Sequence, residues 1–163
     1  MMKDKVLEAL NRQVNAELYA AYLYQAMSAY FESKTLLGSA KWMALQAKEE
    51  MEHAAKIYHY IIERGGRVEL QEIKKPPLEW DSPLHVFEEA YKHEQFVTAS
   101  ISEITDLAQE KKDYATVSFL HWFHDEQVEE EAQVDEIIEK LKLVGSDGKA
   151  LYLIDRELGQ REG

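Results

Sequence analysis

The sequence of 163 residues contains no cysteine, only three prolines and seven glycines, and no long apolar run. The absence of cysteine excludes disulfides, thiolate metal sites and cysteine nucleophiles. Because proline and glycine are scarce while Glu, Ala, Leu and Lys are abundant, the composition favours helices. No apolar stretch is long enough to cross a bilayer, and the charged N-terminal region lacks a signal-peptide core, so we expect a cytoplasmic protein that does not enter membranes.

Basic residues are also in deficit. The 19 Lys and Arg residues stand against 31 Asp and Glu residues, which gives a formal net charge of −12. An acidic protein of this kind is not expected to bind nucleic acid or anionic membranes, and it favours cations as partners, although the same charge also serves ordinary solubility. The length suits one compact unit with its own core, so we predict a single domain over residues 1–163.

Apolar residues recur at alternating steps of three and four along four long segments, which indicates helices with one buried face. We predict helices at about residues 4–33, 39–64, 83–111 and 114–143, and a short fifth helix at about 149–159. Ser39 is the expected start of the second helix, and Ser82 and Asp113 are expected to cap the third and fourth. The segment 67–81 contains Pro76-Pro77, which predicts an extended connection. These features predict an all-α four-helix bundle with a long crossover between helices two and three.

Each predicted buried face is interrupted by polar residues at one level of the bundle. These residues are Glu17, Glu50, His53, Glu94, Gln127 and Glu130. Glu17 and Glu50 are 33 residues apart, and so are Glu94 and Gln127, so the second half of the chain repeats the pattern of the first. An ionised side chain in an apolar core is costly unless it is paired or bound to metal. Polar residues that interrupt all four buried faces at the same level are therefore not expected by chance.

The polar layer predicts a metal centre. Four buried carboxylates would repel one another, so several would take up protons unless cations were bound. Two divalent ions would remove this repulsion, and Glu50 is well placed to bridge them. Oxygen ligands with one imidazole suit iron, manganese or a similar cation. Two such ions, about 3.5–4 Å apart, can act together on a small molecule, and two Fe(II) ions would supply two electrons to dioxygen.

The sequence resembles the non-haem ferritins of bacteria and archaea over nearly the whole chain. The matching positions are Glu17 with Tyr24, the run from Glu50 to His53, His93-Glu94, and the run from Glu126 to Glu131. The resemblance implies a ferritin-like bundle and a homo-oligomeric hollow shell, usually of twenty-four subunits. It also implies a ferroxidase that oxidises Fe(II) with dioxygen or peroxide and stores ferric oxyhydroxide.

The resemblance also implies roles for particular residues at a di-iron centre. Glu17, Glu50 and His53 would hold the first iron. Glu50, Glu94 and Glu130 would hold the second. Both ions would thus share Glu50, in agreement with the bridging position expected from the stripes.

Five further residues acquire roles by resemblance, each with a plainer alternative. Gln127 lies close to the second iron, although a core amide can simply hydrogen-bond its neighbours. Tyr24 is a hydrogen-bond donor and a candidate electron source beside the centre, or ordinary core packing. Glu49, Glu126 and Glu129 match a third, outer iron site, or form a solvated acidic face.

Three alternatives to an iron-storage ferritin stay open at this stage. Bacterioferritins carry a second Glu-x-x-His where this chain has Gln127-x-x-Glu130, so haem is not expected. Met51 nevertheless stands at the position of their haem-ligating methionine, which keeps a haem-binding variant as an alternative. A di-iron oxidase or oxygenase acting on an organic substrate would need an apolar pocket beside the metals. A purely structural bundle would leave the registered acids without a purpose.

Overall fold

The computed structural model describes residues 2–163, which form five α-helices and no β-strand. The helices are α1 (Asp4–Ser33), α2 (Leu37–Glu63), α3 (Pro83–Glu110), α4 (Tyr114–Val144) and α5 (Gly148–Leu158). Helix α1 packs along α2 and α3 along α4, α1 also contacts α3, and α5 lies against α2 and α4. The predicted all-α bundle with a short fifth helix is confirmed. None of the helices in residues 2–163 combines the length and the hydropathy that a membrane span requires.

The connection between α2 and α3 is non-helical from residue 64 to residue 82, as the sequence predicts. The side chain of Asn11 in α1 holds the first part of this connection. Asn11 Nδ2 donates to the Arg67 backbone carbonyl at 3.0 Å, and Asn11 Oδ1 accepts from the Glu69 backbone amide at 2.8 Å. Trp80, near the end of the connection, is buried edge-on against Tyr30 with ring centroids 5.5 Å apart. The crossover is therefore an extended segment that packs against α1.

The predicted start of the second helix at Ser39 is wrong, since α2 begins two residues earlier at Leu37. The reason is a carboxylate from α5. Asp155 accepts hydrogen bonds from the Gly38 amide at 3.1 Å and from the Ser39 amide and hydroxyl at 2.7 Å each. A side chain at Gly38 would place its Cβ 1.7 Å from the Asp155 carbonyl oxygen, so this close approach of α5 to α2 requires glycine.

The remaining helix ends lie within one residue of the predicted positions. Ser82 caps α3 by accepting from the His85 amide at 3.1 Å, and Asp113 caps α4 by accepting from the Thr116 amide at 3.3 Å, so both predicted caps are confirmed. Helices α2 and α3 each end one residue earlier than predicted and α4 one residue later, while α5 is displaced by one residue toward the N-terminus. In α5 the reason is Asp147, whose side chain accepts from the Lys149 and Ala150 amides and so starts the helix at residue 148.

The apolar core is divided into two clusters along the bundle. One cluster contains Tyr24, Met43 and Phe87, and the other contains Val14 and Ile57. On each of the four long helices, the polar residues singled out in the sequence fall between the part that joins the first cluster and the part that joins the second. Burial of one large apolar side chain contributes about 1.5–3 kcal/mol. The two clusters therefore supply the apolar burial that stabilises the bundle on either side of the polar layer.

Candidate metal centre

The structure brings together all six polar residues that the sequence places on the buried stripes. Each of them is at most 3% exposed; they are Glu17, Glu50, His53, Glu94, Gln127 and Glu130. Because residues three apart share a helix face, α2 presents both Glu50 and His53, and α4 presents both Gln127 and Glu130. Helices α1 and α3 each add one acid. Four helices thus contribute to one buried layer.

Two groups of possible ligands share a carboxylate. Ligand atoms of Glu17, Glu50 and His53 lie within 4.8 Å of one another, and the same holds for Glu50, Glu94 and Glu130. Each group is fully buried and offers oxygen atoms, in one case with an imidazole nitrogen. Such donors suit iron, manganese or a similar cation. The position of Glu50 in both groups fits a carboxylate that bridges two ions.

Three atoms of the first group face one another without a hydrogen bond. His53 Nδ1 lies 3.3 Å from Glu50 Oε2 and 3.9 Å from Glu17 Oε2. Within residues 2–163, none of these three buried atoms has a hydrogen-bond partner. A buried polar atom without a partner is costly, and such atoms are rare in folded proteins. A cation bound between them would satisfy all three at once.

Burial raises the pKa of every acid in the layer, and repulsion from a neighbouring acid adds to the rise for Glu17, Glu50 and Glu130. Burial raises the pKa of Glu17 well above its ordinary value, and the neighbouring charge of Glu50 raises it further. Burial, and then the charge of Glu94, also raise the pKa of Glu50 and of Glu130. The pKa of Glu130 reaches about 9. The pKa of Glu94 is raised by burial as well. At neutral pH the metal-free layer therefore retains protons that a cation would displace.

Buried glutamine amides hydrogen-bond the acids and orient them, and two of these glutamines were not predicted as site residues from the sequence. Gln13 Nε2 donates to Glu17 Oε1 at 3.0 Å, and Gln46 Nε2 donates both to Glu50 Oε1 at 3.1 Å and to Glu130. A signal was present in the sequence, because each glutamine stands four residues before its glutamate, on the same helix face. Such outer hydrogen bonds fix the orientation of metal-binding carboxylates.

Gln127 and Tyr24 both act on Glu94. Gln127 Nε2 donates to Glu94 Oε2 at 3.0 Å and to the Glu94 carbonyl oxygen at 3.2 Å. The Tyr24 hydroxyl, which is fully buried, donates to Glu94 Oε1 at 2.5 Å. Glu94 therefore accepts a hydrogen bond on each carboxylate oxygen. In this structure Gln127 therefore hydrogen-bonds a candidate ligand, as expected of a core amide that bonds its neighbours.

The three acids of the expected outer site are not gathered equally. Glu126 Oε1 lies 3.9 Å from His53 Nε2, and Glu126 forms a third group of possible ligands with His53 and Glu130. In residues 2–163 the groups of converging ligand atoms do not include Glu49 or Glu129. Glu129 is exposed, and the Glu49 carboxylate pairs instead with a guanidinium from the C-terminal segment.

The fold and the site define a class: a four-helix bundle with a buried carboxylate–histidine centre. The chain belongs to the ferritin-like domain family, whose sequence model matches residues 7–144. It is 44% identical to a bacterial non-heme ferritin of Staphylococcus aureus (strain MRSA252), over 99% of this chain and 97% of that protein. It is 45% identical to the corresponding protein of Staphylococcus saprophyticus, over 99% and 96% of the two chains.

Solved structures agree with these sequence relatives. An open-pore ferritin from the hyperthermophilic archaeon Archaeoglobus fulgidus superposes with a TM-score of 0.98 at 50% identity, covering 99% of this chain and 100% of that chain. A closed form of the same ferritin, engineered by site-directed mutagenesis, also superposes with a TM-score of 0.98. The resemblance to non-haem ferritins that the sequence shows is confirmed.

Proposed function

We propose that this protein is an iron-storage ferritin whose buried layer is a ferroxidase centre. The observation that carries the proposal is the convergence of Glu17 Oε2, Glu50 Oε2 and His53 Nδ1 without hydrogen-bond partners, beside the second group formed by Glu50, Glu94 and Glu130. In this proposal the first group binds one Fe(II), the second group binds another, and Glu50 bridges them. The non-heme ferritins among its relatives support iron as the cation.

The reaction follows from two one-electron donors held side by side. Each Fe(II) loses one electron, and one dioxygen molecule takes up both electrons and two protons to become hydrogen peroxide. Carboxylates stabilise the Fe(III) that results, because they are hard, anionic ligands. The protons that the acids release when iron binds are available at the same place. Peroxide is an alternative oxidant, which would accept two electrons from the same pair of ions.

The storage part of the proposal concerns what happens after oxidation. Fe(III) passes to an acidic cavity inside a homo-oligomeric shell, expected to contain twenty-four subunits, and hydrolyses there to ferric oxyhydroxide. Glu49, Glu126 and Glu129 would supply an outer cation site beside the centre, of which Glu126 already lies next to His53. The net charge of −12 suits a cytoplasmic protein whose cargo is a cation and whose partners are copies of itself.

The clefts of the molecule give no support to an organic substrate. A cleft of about 390 Å³ is lined by residues of α1, α2 and the crossover, and another of about 390 Å³ lies between α2, α4 and the C-terminal segment. Neither is lined by a candidate iron ligand.

Met51 is half-exposed at the first cleft, so the haem alternative is tested by adding haem and recording its absorbance spectrum with the Met51→Leu variant as control.

Ligand substitutions test the proposal against an exposed acid on the same helix. We expect Glu17→Ala and His53→Ala to slow aerobic Fe(II) oxidation by at least about tenfold, since removing even an outer partner of a metal ligand costs 10–100-fold. The control is Glu52→Ala, because Glu52 is exposed and follows Glu50 by two residues. The variants should still assemble, since Glu17→Ala relieves repulsion between buried acids and His53→Ala removes a side chain whose Nδ1 makes no hydrogen bond. Oxidation at the rate of the unmodified protein in both ligand variants would reject the site.

A further inference from the structure

The C-terminal segment places a cation on a residue that is expected to bind cations. Arg161 Nη2 lies 3.0 Å from Glu49 Oε1, in an ion pair whose side chains are 15% and 39% exposed respectively. Glu49 is the residue that precedes the bridging candidate Glu50. The planar fork of a guanidinium matches a carboxylate. The pair therefore engages the Glu49 carboxylate directly.

Arg161 is held in place by contacts that do not involve Glu49. Its Nη1 donates to the Trp42 carbonyl at 3.2 Å, and its guanidinium carbon lies 4.5 Å from the centroid of the Trp42 ring. Trp42 is 5% exposed and packs edge-on against Phe87 in the core, with ring centroids 5.5 Å apart. A guanidinium over an indole face is attracted by the ring and loses little further freedom when it pairs. Arg161 is therefore preorganised to hold Glu49.

We propose that Arg161 is a positioning residue that regulates the outer cation site, because it occupies the Glu49 carboxylate and must be displaced before a third cation binds there. The role rests on the proposed function, since an outer site has meaning only beside a di-iron centre. Glu126 is already beside His53, so release of Glu49 frees a second carboxylate for the outer site. The centre accordingly fills its two inner positions first and the outer one only at higher cation concentration.

The experiment is a calorimetric titration of the metal-free protein with Zn²⁺, which does not change its oxidation state. The unmodified protein should bind two Zn²⁺ per subunit tightly and a third more weakly. Arg161→Gln should tighten the third binding by roughly two- to fivefold, the range expected for a partly exposed ion pair, and leave the first two unchanged. The matched control is Lys41→Gln, which removes the same charge from a side chain that contacts the same segment, at the Gly159 carbonyl.

A double-mutant cycle shows whether the effect passes through Glu49. In a Glu49→Gln background, Arg161→Gln should no longer tighten the third binding. An unchanged third affinity in Arg161→Gln, an equal effect in Lys41→Gln, or an effect that persists without Glu49 would each overturn the role of Arg161. If two tight Zn²⁺ ions still bind in these cases, the proposed function stands. If the unmodified protein binds no Zn²⁺ tightly, both proposals fail together.

Discussion

The hydroxyl of Tyr24 in α1 donates a hydrogen bond of 2.5 Å to the carboxylate of Glu94 in α3, across 70 positions of sequence. Burial raises the pKa of Tyr24 well above its ordinary value, so the phenol keeps its proton and remains a donor. The bond favours the ionised form of Glu94 and opposes the rise in the pKa of Glu94 that burial causes. The phenol thereby keeps a candidate ligand closer to the form that binds a cation.

Replacing Tyr24 with phenylalanine should make Fe(II) oxidation more sensitive to acid. The pKa of Glu94 then rises further, so a proton competes with iron, and we expect a loss of roughly tenfold in rate at pH 6, in keeping with one hydrogen bond to a charged group. The loss should shrink at pH 8. Tyr22→Phe, at an exposed position of α1, is the control. Equal slowing at both pH values would contradict this account and would instead support Tyr24 as an electron source.

Gln46 should matter as much as a direct ligand, although it is an amide. Its two N–H groups serve Glu50 and Glu130, and both hydrogen bonds lower the pKa of the acid that accepts them. We expect Gln46→Leu to weaken Zn²⁺ binding at pH 6.5 by about 10–100-fold, the effect typical of a lost outer partner. Gln109→Leu, at an exposed position of α3, should leave the affinity unchanged. Equal affinities in the two variants would remove Gln46 from the centre.

The metal-free protein should lose stability as pH rises from about 5 to about 9. Glu130 has a native pKa of about 9, and burial also raises the native pKa of Glu17, Glu50 and Glu94. The native state therefore binds more protons than the unfolded state above the ordinary pKa of a carboxyl group. Each raised pKa contributes stability that is present below its unfolded value and is lost as pH rises through its native value. The slope is about 1.4 kcal/mol per pH unit for each retained proton.

This dependence is measured from thermal unfolding of protein freed of metal by a chelator that is then removed, at pH 6.5 and pH 9, with and without added Zn²⁺. Zn²⁺ should raise the unfolding temperature at pH 9 more than at pH 6.5, because it replaces protons that are already leaving. The Glu130→Gln variant should show a smaller fall between the two pH values. A metal-free protein that is as stable at pH 9 as at pH 6.5, with no smaller slope in Glu130→Gln, would mean that the layer does not retain protons.

Asp155 should control stability without affecting iron chemistry. Its carboxylate accepts from the Gly38 and Ser39 amides and from the Ser39 hydroxyl, and so closes the N-terminus of α2 from a different helix. We expect Asp155→Ala to lower the free energy of unfolding by about 1–3 kcal/mol, the cost of a lost cap and of buried donors left unpaired. Asp155→Asn keeps an acceptor and should lose less. Normal stability in Asp155→Ala would show that the cap is dispensable.

The helices and the polar layer were accessible from sequence because each is encoded locally. Apolar residues at steps of three and four identify which face of α1 or α3 is buried. A charged residue on that face then shows at which level of the helix the polar layer lies. The equal spacing of 33 residues in the two halves of the chain then places Glu17 and Glu50 at the same level of the bundle as Glu94 and Gln127. These relationships need no knowledge of how the helices pack. The structure accordingly brings the acids together as the stripes predict.

Contacts between segments that are distant in sequence were not accessible. Nothing within residues 37–39 shows that Asp155 will cap α2, and this is why the predicted start at Ser39 was wrong. The pair of Arg161 with Glu49 depends in the same way on the return of the C-terminal segment over Trp42. The role of Gln46 lay between these cases. Its position four residues before Glu50 is local, whereas its second hydrogen bond, to Glu130, depends on the packing of α2 against α4.

The most direct test of the central claim is to add Fe(II) in air to the metal-free protein and to measure the size of the particle that carries the iron. We expect rapid oxidation, with hundreds of iron atoms in a soluble particle about twenty times the mass of one subunit. The Glu50→Ala variant should form the same particle and oxidise iron slowly. About two irons bound to a small oligomer, with no mineral, would contradict storage and would favour a di-iron enzyme with an organic substrate.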